Sequence, residues 1–254
     1  MKRTTYILIG VYLGGMLFIL VGIISLISYF GKELDYQTID MPQTTATTEL
    51  DGVKKVVVSS IYPVRFRMPK NGDFKVTQAP VGSTGKITYP ASEYIKVKKQ
   101  NDVLFLKVDF ETLGADSEFS IAPVDIQLEI PETFIRIENK SITDMTMESV
   151  TIDSLEIDTE RGIYIENCTI GSLVLSEQNR YLFSGTNTTI QNLYADLDGL
   201  REWKFSNCTI QNQHLTANGS AQLPYNGKGT RIFWKPKNDK ATLSLTREAK
   251  IVVE

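Results

Sequence analysis

A repeat of about 20 residues constrains the fold of this 254-residue chain more than any other feature. The motif Asn-x-Thr-Ile begins at Asn167, Asn187 and Asn207, and Ser149-Val-Thr-Ile precedes the series. Upstream apolar positions align in two sets: Met145, Ile163, Phe183 and Trp203, and Met147, Ile165, Gly185 and Phe205. A segment this short cannot bury its own apolar face, so the copies must stack and share one core.

The repeat predicts an all-β, single-domain β-solenoid, or β-helix, with coils of about 20 residues. Coils are expected over about 141–215, with the register breaking at Gln213 and 216–254 forming a C-terminal cap. Two ladders are predicted to run across the coils, an inward one of Ile152, Ile170, Ile190 and Ile210, and an amide one of Asn167, Asn187 and Asn207 at a bend.

Period-two alternation also predicts strands before the repeat, over 56–58, 74–76, 94–97, 103–108 and 126–130. The turn residues at 100–102 predict a hairpin between two of them. Strands do not alternate with helices, so a nucleotide-binding α/β fold is unsupported.

The N-terminus predicts a single membrane span. No charged residue occurs over 4–31, and Lys2 and Arg3 precede this stretch. We therefore predict a cytoplasmic end (1–5), a transmembrane anchor (6–30) and a Thr-rich linker (31–50). An exported domain (51–254) would follow, in the periplasm or outside the cell. A cleaved signal peptide is the alternative, but the apolar stretch is longer than such peptides usually have.

Composition excludes several functions. With 27 Lys+Arg against 30 Asp+Glu, the chain lacks the basic excess of a nucleic-acid-binding protein. One His and two Cys cannot form a His-rich or four-cysteine metal site, and no cofactor is expected. Cys168 and Cys208 occupy one repeat position two coils apart, about 9.6 Å, so both are predicted to be free.

No catalytic constellation is found, and the chain is predicted not to be an enzyme. His214 has no nucleophile at motif spacing. Asp196-Leu-Asp198-Gly199 resembles the start of a calcium loop but lacks the remaining ligands, which favours a turn. A cluster of acidic residues alternates with inward apolar positions and is interpreted as a solvated face; it comprises Asp144, Glu148, Asp153, Glu156, Asp158 and Glu160.

Aromatic side chains expected at the surface are the remaining candidates for a binding site. Flat β faces that carry aromatic rings can bind glycans or proteins, although scattered single aromatics are also ordinary surface. The candidates are Tyr164, Tyr181 and Tyr194, with Tyr225 and Trp234.

The segment over 124–137, a strand that runs into Pro131, and the short repeats that follow, such as 154–165, resemble the adhesin-like head domains of Bacteroidetes envelope proteins. The resemblance covers roughly 53–215. It implies an exported, often membrane-linked, β-solenoid-like domain of unknown biochemical function. No catalytic residue is established for that family, so none carries over.

Together these features predict a membrane-anchored bacterial envelope protein whose β domain is a binding or scaffolding surface. Its partners would be the membrane, through the N-terminal helix, and a glycan or an envelope protein. An accessory of an envelope-stress or signalling system is one alternative. A carbohydrate-active β-helix enzyme is another, and would need two facing carboxylates in a groove.

Overall fold

The computed structural model describes residues 2–30, 37–63, 66–67, 72–113, 119–176, 181–223, 230–245 and 251–253. The chain divides into two compact units, Met1–Gln37 and Thr38–Glu254. The first contains one helix, α1 (Lys2–Phe30). In the part of the chain that the structure describes, no helix meets the length and hydropathy needed to cross a membrane, so the predicted anchor over 6–30 is not supported.

The second unit is mostly β, with two short 3-10 helices at Glu111–Leu113 and Leu197–Gly199. Its strands before the repeat are β1 (Gln37–Ile39), β2 (Thr45–Glu49), β3 (Lys55–Ile61), β4 (Phe66–Arg67), β5 (Phe74–Gln78), β6 (Lys86–Pro90), β7 (Ile95–Gln100), β8 (Val103–Asp109), β9 (Phe119–Ile121) and β10 (Ile126–Ile130). The remaining strands are β11 (Arg136–Lys140), β12 (Met145–Glu148), β13 (Thr151–Thr159), β14 (Ile163–Glu166), β15 (Thr169–Leu175), β16 (Tyr181–Thr186), β17 (Thr189–Asp196), β18 (Leu200–Ser206), β19 (Thr209–Ala217), β20 (Ser220–Leu223), β21 (Arg231–Pro236), β22 (Thr242–Leu245) and β23 (Ile251–Val253).

Two large sheets contain most of these strands. The 8-stranded sheet has the order β18-β16-β14-β12-β5-β10-β6-β2, and the 10-stranded sheet has the order β23-β21-β19-β17-β15-β13-β11-β3-β8-β7. From β11 to β19 successive strands alternate between the two sheets, so each strand pairs in parallel with the second strand after it. The prediction of a mostly β fold is confirmed, as is the hairpin between β7 and β8.

The core lies between the two sheets, where one hydrophobic cluster draws side chains from both. In the 10-stranded sheet Ile152, Ile170, Ile190 and Ile210 are successive register partners, all at most 6% exposed. In the 8-stranded sheet Met145, Ile163, Phe183 and Trp203 are register partners and equally buried. β-branched and aromatic side chains suit this pleated, buried surface, which explains why the repeat requires them.

A left-handed residue marks the bend between the two sheets in each repeat. Ser149, Asn167, Asn187 and Asn207 have φ of 56°, 54°, 50° and 54°. Asparagine tolerates this conformation better than most residues because its short amide bonds locally. The Asn207 Nδ2 donates to the Asn187 Oδ1 at 2.6 Å, so these side chains also bond from one repeat to the next.

Two expectations at the ends of the β domain are wrong. The Thr-rich stretch predicted as a linker contains β2, which pairs antiparallel with β6, and Leu50 after it is 1% exposed. Alternating threonines suit an edge strand because they are β-branched and polar. The register also continues past Gln213, because 212–217 in β19 pair in parallel with 231–236 in β21. Gln213 replaces the inward leucine without ending the pairing.

Candidate binding surface

Three aromatic rings stack on the outer face of the 10-stranded sheet. Tyr194, His214 and Phe233 occupy adjacent strands as register partners. The ring centroids of Tyr194 and His214 are 4.4 Å apart at 11° between planes, and those of His214 and Phe233 are 4.6 Å apart at 7°. Their neighbours along each strand point into the core, so the rings point outward. We call these three residues the aromatic stack.

The stacking determines which part of each ring a ligand can reach. Strands lie about 4.8 Å apart, close to the ring spacing, so each inner ring face is covered by the next ring. Ring edges, with the Tyr194 hydroxyl among them, therefore face outward. Tyr194 is 39% exposed, whereas His214 and Phe233 are half-buried. The stack presents a ridge whose polar atoms can donate and accept hydrogen bonds.

A groove of about 540 Å³ runs along the aromatic stack. This volume lies within the range of small-molecule sites. Four adjacent strands contribute to its lining, which includes Val174, Tyr194, Asp196, His214, Phe233 and Lys235. The groove thus combines ring surface with groups that can form hydrogen bonds to a polar ligand.

A lysine occupies the place that a calcium ion would need beside the groove. The Lys237 Nζ lies 2.5 Å from the Asp196 Oδ2 and 3.7 Å from the Asp198 Oδ2. Asp198 also accepts from the backbone N–H of Asn218 at 2.7 Å and of Gly219 at 3.3 Å. Burial opposes ionisation of Asp198, but these hydrogen bonds and the charge of Lys237 outweigh it and lower its pKa. These two aspartates thus support a turn. Within the described residues, no group of three or more His, Cys, Asp and Glu could hold a metal ion.

The structure does not bring the predicted surface aromatics together. Tyr164 is 36% exposed but lies in β14 of the 8-stranded sheet, away from Tyr194. Burial raises the pKa of Tyr164, as do the nearby charges of Asp144 and Glu202. Its register partners, Thr146 and Ser184, carry no ring, so it stands as a single aromatic.

None of the other three aromatic candidates has an exposed ring among the described side chains. Tyr181 begins β16, but its side chain lies outside the described residues, as does the whole of Tyr225. Trp234 is only 9% exposed, so its expected surface position is wrong. In β21 it is Phe233 that faces outward, because Trp234 follows it on the opposite face of the strand.

Most of the acidic cluster is engaged in ion pairs or backbone contacts. The Arg136 Nη1 contacts the Glu156 Oε1 at 2.8 Å, and its Nη2 lies 3.6 Å from the Asp158 Oδ2. Glu148 pairs with Lys75. The Asp144 carboxylate accepts the backbone N–H of Gly162 at 2.8 Å. Carboxylates paired in this way agree with the interpretation of the acidic cluster as a partly solvated face.

The two cysteines are both free, Cys168 buried and Cys208 half-buried. Burial raises the pKa of each thiol. The Cys168 Sγ lies 3.2 Å from the carbonyl oxygen of Glu166, and the Cys208 Sγ lies 3.3 Å from that of Ser206. These matching contacts show that both thiols fill the same small space at the bend, and a protonated thiol is a weak nucleophile.

No family model and no curated protein matches the chain. Solved structures do resemble it. A candidate adhesin from Bacteroides fragilis has 16% identity and a TM-score of 0.47, over 85% of this chain and 97% of that one. A candidate lipid-binding protein from Parabacteroides distasonis has 8% identity and a TM-score of 0.40, over 85% and 100%. A candidate adhesin from the same species has 11% identity and a TM-score of 0.36, over 87% and 98%.

The structural neighbours of the chain thus include candidate adhesins of Bacteroidetes over most of its length. The resemblance suggested by the sequence is confirmed in that sense. The feature of this chain that supports a binding surface is the aromatic stack.

Proposed function

We propose that the chain is a non-catalytic, adhesin-like binding module whose ligand is a carbohydrate. The observation that carries the proposal is the aromatic stack of Tyr194, His214 and Phe233, outward-facing and bordered by a groove of about 540 Å³. Outward rings on a sheet contribute nothing to the core between the sheets. A rigid row of rings with polar edges stabilises the sheet and also presents a surface suited to recognition.

Carbohydrate fits the chemistry of this surface better than a purely apolar ligand. A sugar has apolar C–H faces and a rim of hydroxyl groups, so it needs ring surface and hydrogen-bond partners side by side. The groove supplies both, with Tyr194 and Phe233 beside the polar groups of Thr216 and Lys235. Because the rings are already stacked, binding would cost little side-chain entropy.

We also infer that the alternating strands form the coils of a β-solenoid, with about 20 residues per coil. Registers such as Ile170 with Ile190 and Ile190 with Ile210, each 20 residues apart, support this interpretation. Stacked coils repeat each outward position at the strand spacing, which is how a row of rings arises from one position of a repeat.

Export of the β domain belongs to the proposal, since a carbohydrate-binding adhesin would act outside the cytoplasm. The sequence alone supports export. Protease treatment of intact cells and of spheroplasts tests it. Digestion of the β domain in either preparation is the expected result, and protection until the cytoplasm is opened would contradict it.

A binding screen tests the proposed function. The purified full chain is titrated against a glycan panel and against solubilised envelope proteins, as wild type, Tyr194→Ser and Tyr164→Ser. We expect saturable glycan binding that Tyr194→Ser weakens about tenfold, the effect of losing one stacked ring. Tyr164→Ser, the matched control on the other sheet, should bind like wild type. Binding to a specific envelope protein alone, or an equal loss in both variants, would contradict the proposal.

A further inference from the structure

One face of the Tyr194 ring is open. Its register partners are His214 on one side and Val174 on the other. His214 covers one ring face at 4.4 Å. Val174 has no ring, so Tyr194 is the last ring of the stack on this side. The groove extends over this position, since Val174 and Tyr194 both line it. We call the space above Val174 and beside Tyr194 the Val174 gap.

An ion pair lies beyond the Val174 gap. Glu156 is the register partner of Val174 on the side away from Tyr194. Its carboxylate contacts the Arg136 guanidinium at 2.8 Å, and both side chains are about one-third exposed. The gap therefore has an aromatic wall, an apolar floor and, on its other side, the Glu156 carboxylate, with Arg136 one strand further away.

The dimensions of the gap suit one ring. Two strand spacings separate the row of Tyr194 from the row of Glu156, about 9.6 Å. A ring stacked on Tyr194 at the 4.4 Å of the existing stack would leave about 5 Å to the row of Glu156. Equatorial hydroxyl groups lie in the plane of that ring, so one bridging water spans the remaining distance to the Glu156 carboxylate.

Building on the proposed function, we propose that the Val174 gap is a subsite for a single pyranose ring with equatorial hydroxyl groups, as in a β-linked glucan. Such a ring presents a flat C–H face to Tyr194 and places its hydroxyls at the rim. An axial hydroxyl, as at C2 of mannose, would interrupt one of the two ring faces. A purely aromatic ligand would stack on Tyr194 but would form no hydrogen bond with the ion pair.

Filling the gap from the protein side tests the subsite. Val174→Tyr extends the stack by one ring, and both residues suit an outward strand position. Ser184→Tyr is the matched control, because Ser184 is the register partner of the single Tyr164 on the other sheet. The full chain is titrated with cellotetraose and with mannotetraose, and the melting temperature of each variant is recorded.

We expect wild type and Ser184→Tyr to bind cellotetraose more tightly than mannotetraose. Val174→Tyr should lose cellotetraose binding while its melting temperature stays the same or rises. Undiminished binding by Val174→Tyr would overturn the subsite but leave the proposed function in place. Failure of wild type to bind any carbohydrate of the panel would overturn the proposed function, and the subsite with it.

A measurement on wild type decides the question if Val174→Tyr does not fold. Saturation of the protein's aromatic protons transfers to ligand protons that touch a ring face. Ring-face C–H protons of one glucose unit in cellotetraose should receive the strongest transfer, and Tyr194→Leu should remove it. Transfer spread evenly over all units, or unchanged in Tyr194→Leu, would overturn the subsite.

Discussion

The ring of Phe205 lies directly over Gly185, its register partner in the next strand of the 8-stranded sheet. A Cβ built on Gly185 would lie 2.6 Å from the Phe205 Cδ1 and 3.3 Å from the Cys208 Sγ. Phe205 also packs edge-on against Phe183 at 5.0 Å between centroids. Because Gly185 has no side chain, the neighbouring repeat has room for the larger Phe205 ring.

Gly185→Ala should destabilise the β domain by about 1–3 kcal/mol, the usual range for overpacking a filled core. The methyl group would displace a ring that Phe183 and Trp203 hold in place. Chemical denaturation measures the change. Gly219→Ala is the control, since nothing lies within 4 Å of a Cβ there. Equal midpoints for wild type and Gly185→Ala would show that the ring moves freely.

Ile190→Asp should unfold the repeat on both sides of the substitution. Ile190 is fully buried, and its register partners are Ile170 and Ile210. An unpaired charge there costs several kcal/mol, a large fraction of the stability of a typical domain. Circular dichroism of the purified variants is the measurement. Thr189→Asp, one residue away and exposed, should keep the wild-type spectrum; a folded Ile190→Asp would contradict the shared core.

Asn187 should tolerate glycine better than alanine. Its φ of 50° lies in the left-handed region, where alanine costs roughly 1–2 kcal/mol and glycine fits readily. Both variants lose the Asn207 hydrogen bond, so the difference between them isolates the backbone effect. Thermal melts should place Asn187→Ala below Asn187→Gly. The reverse order would mean that the bend does not depend on the left-handed conformation.

Glu138→Gln should remove stability that depends on pH. Burial opposes ionisation of Glu138, but Lys55 at 2.6 Å and Arg136 at 2.8 Å outweigh it and lower its pKa. The charged group therefore stabilises the fold at neutral pH. That contribution is lost as the pH falls below the usual glutamate value of about 4.3 and through the folded-state pKa.

Melting temperatures of wild type and Glu138→Gln, followed from neutral pH down to about pH 3, measure this effect. The variant should be less stable than wild type at neutral pH by about 1–3 kcal/mol, and this difference in stability should narrow as the pH falls. Glu129→Gln is the control, because its pair with Lys86 at 3.3 Å is more exposed and should matter little. A stability difference that stays constant over the whole pH range would rule out the charge of Glu138 as its cause.

The repeat is the part of the fold that the sequence reveals most directly. Inward ladders require one residue class at a fixed spacing, and left-handed bends favour Asn, so both leave a pattern in the chain. The sequence reveals β2 less readily, because alternating threonines at an edge strand have the composition of a polar linker. Its pairing with β6 joins segments about 40 residues apart, and local pattern does not reveal such a contact.

The sequence does not reveal the aromatic stack, for a specific reason. The recognisable repeat ends where Gln213 replaces an inward leucine, so His214 looks isolated and Phe233 falls within the predicted C-terminal cap. Extending the alignment by 20 and then 19 residues places Tyr194, His214 and Phe233 at one outward position. Outward positions vary in residue type, and only their spacing shows that they form a row.

Chemical-shift mapping of the isotope-labelled full chain with cellotetraose is the sharpest test of whether the aromatic stack binds carbohydrate. We predict saturable shifts concentrated at Tyr194, His214 and Phe233 and at neighbouring groove residues such as Val174, with none around Tyr164 on the other sheet. Shifts centred on Tyr164, or no saturable shift with any glycan of the panel, would contradict the assignment of the aromatic stack as a carbohydrate-binding surface.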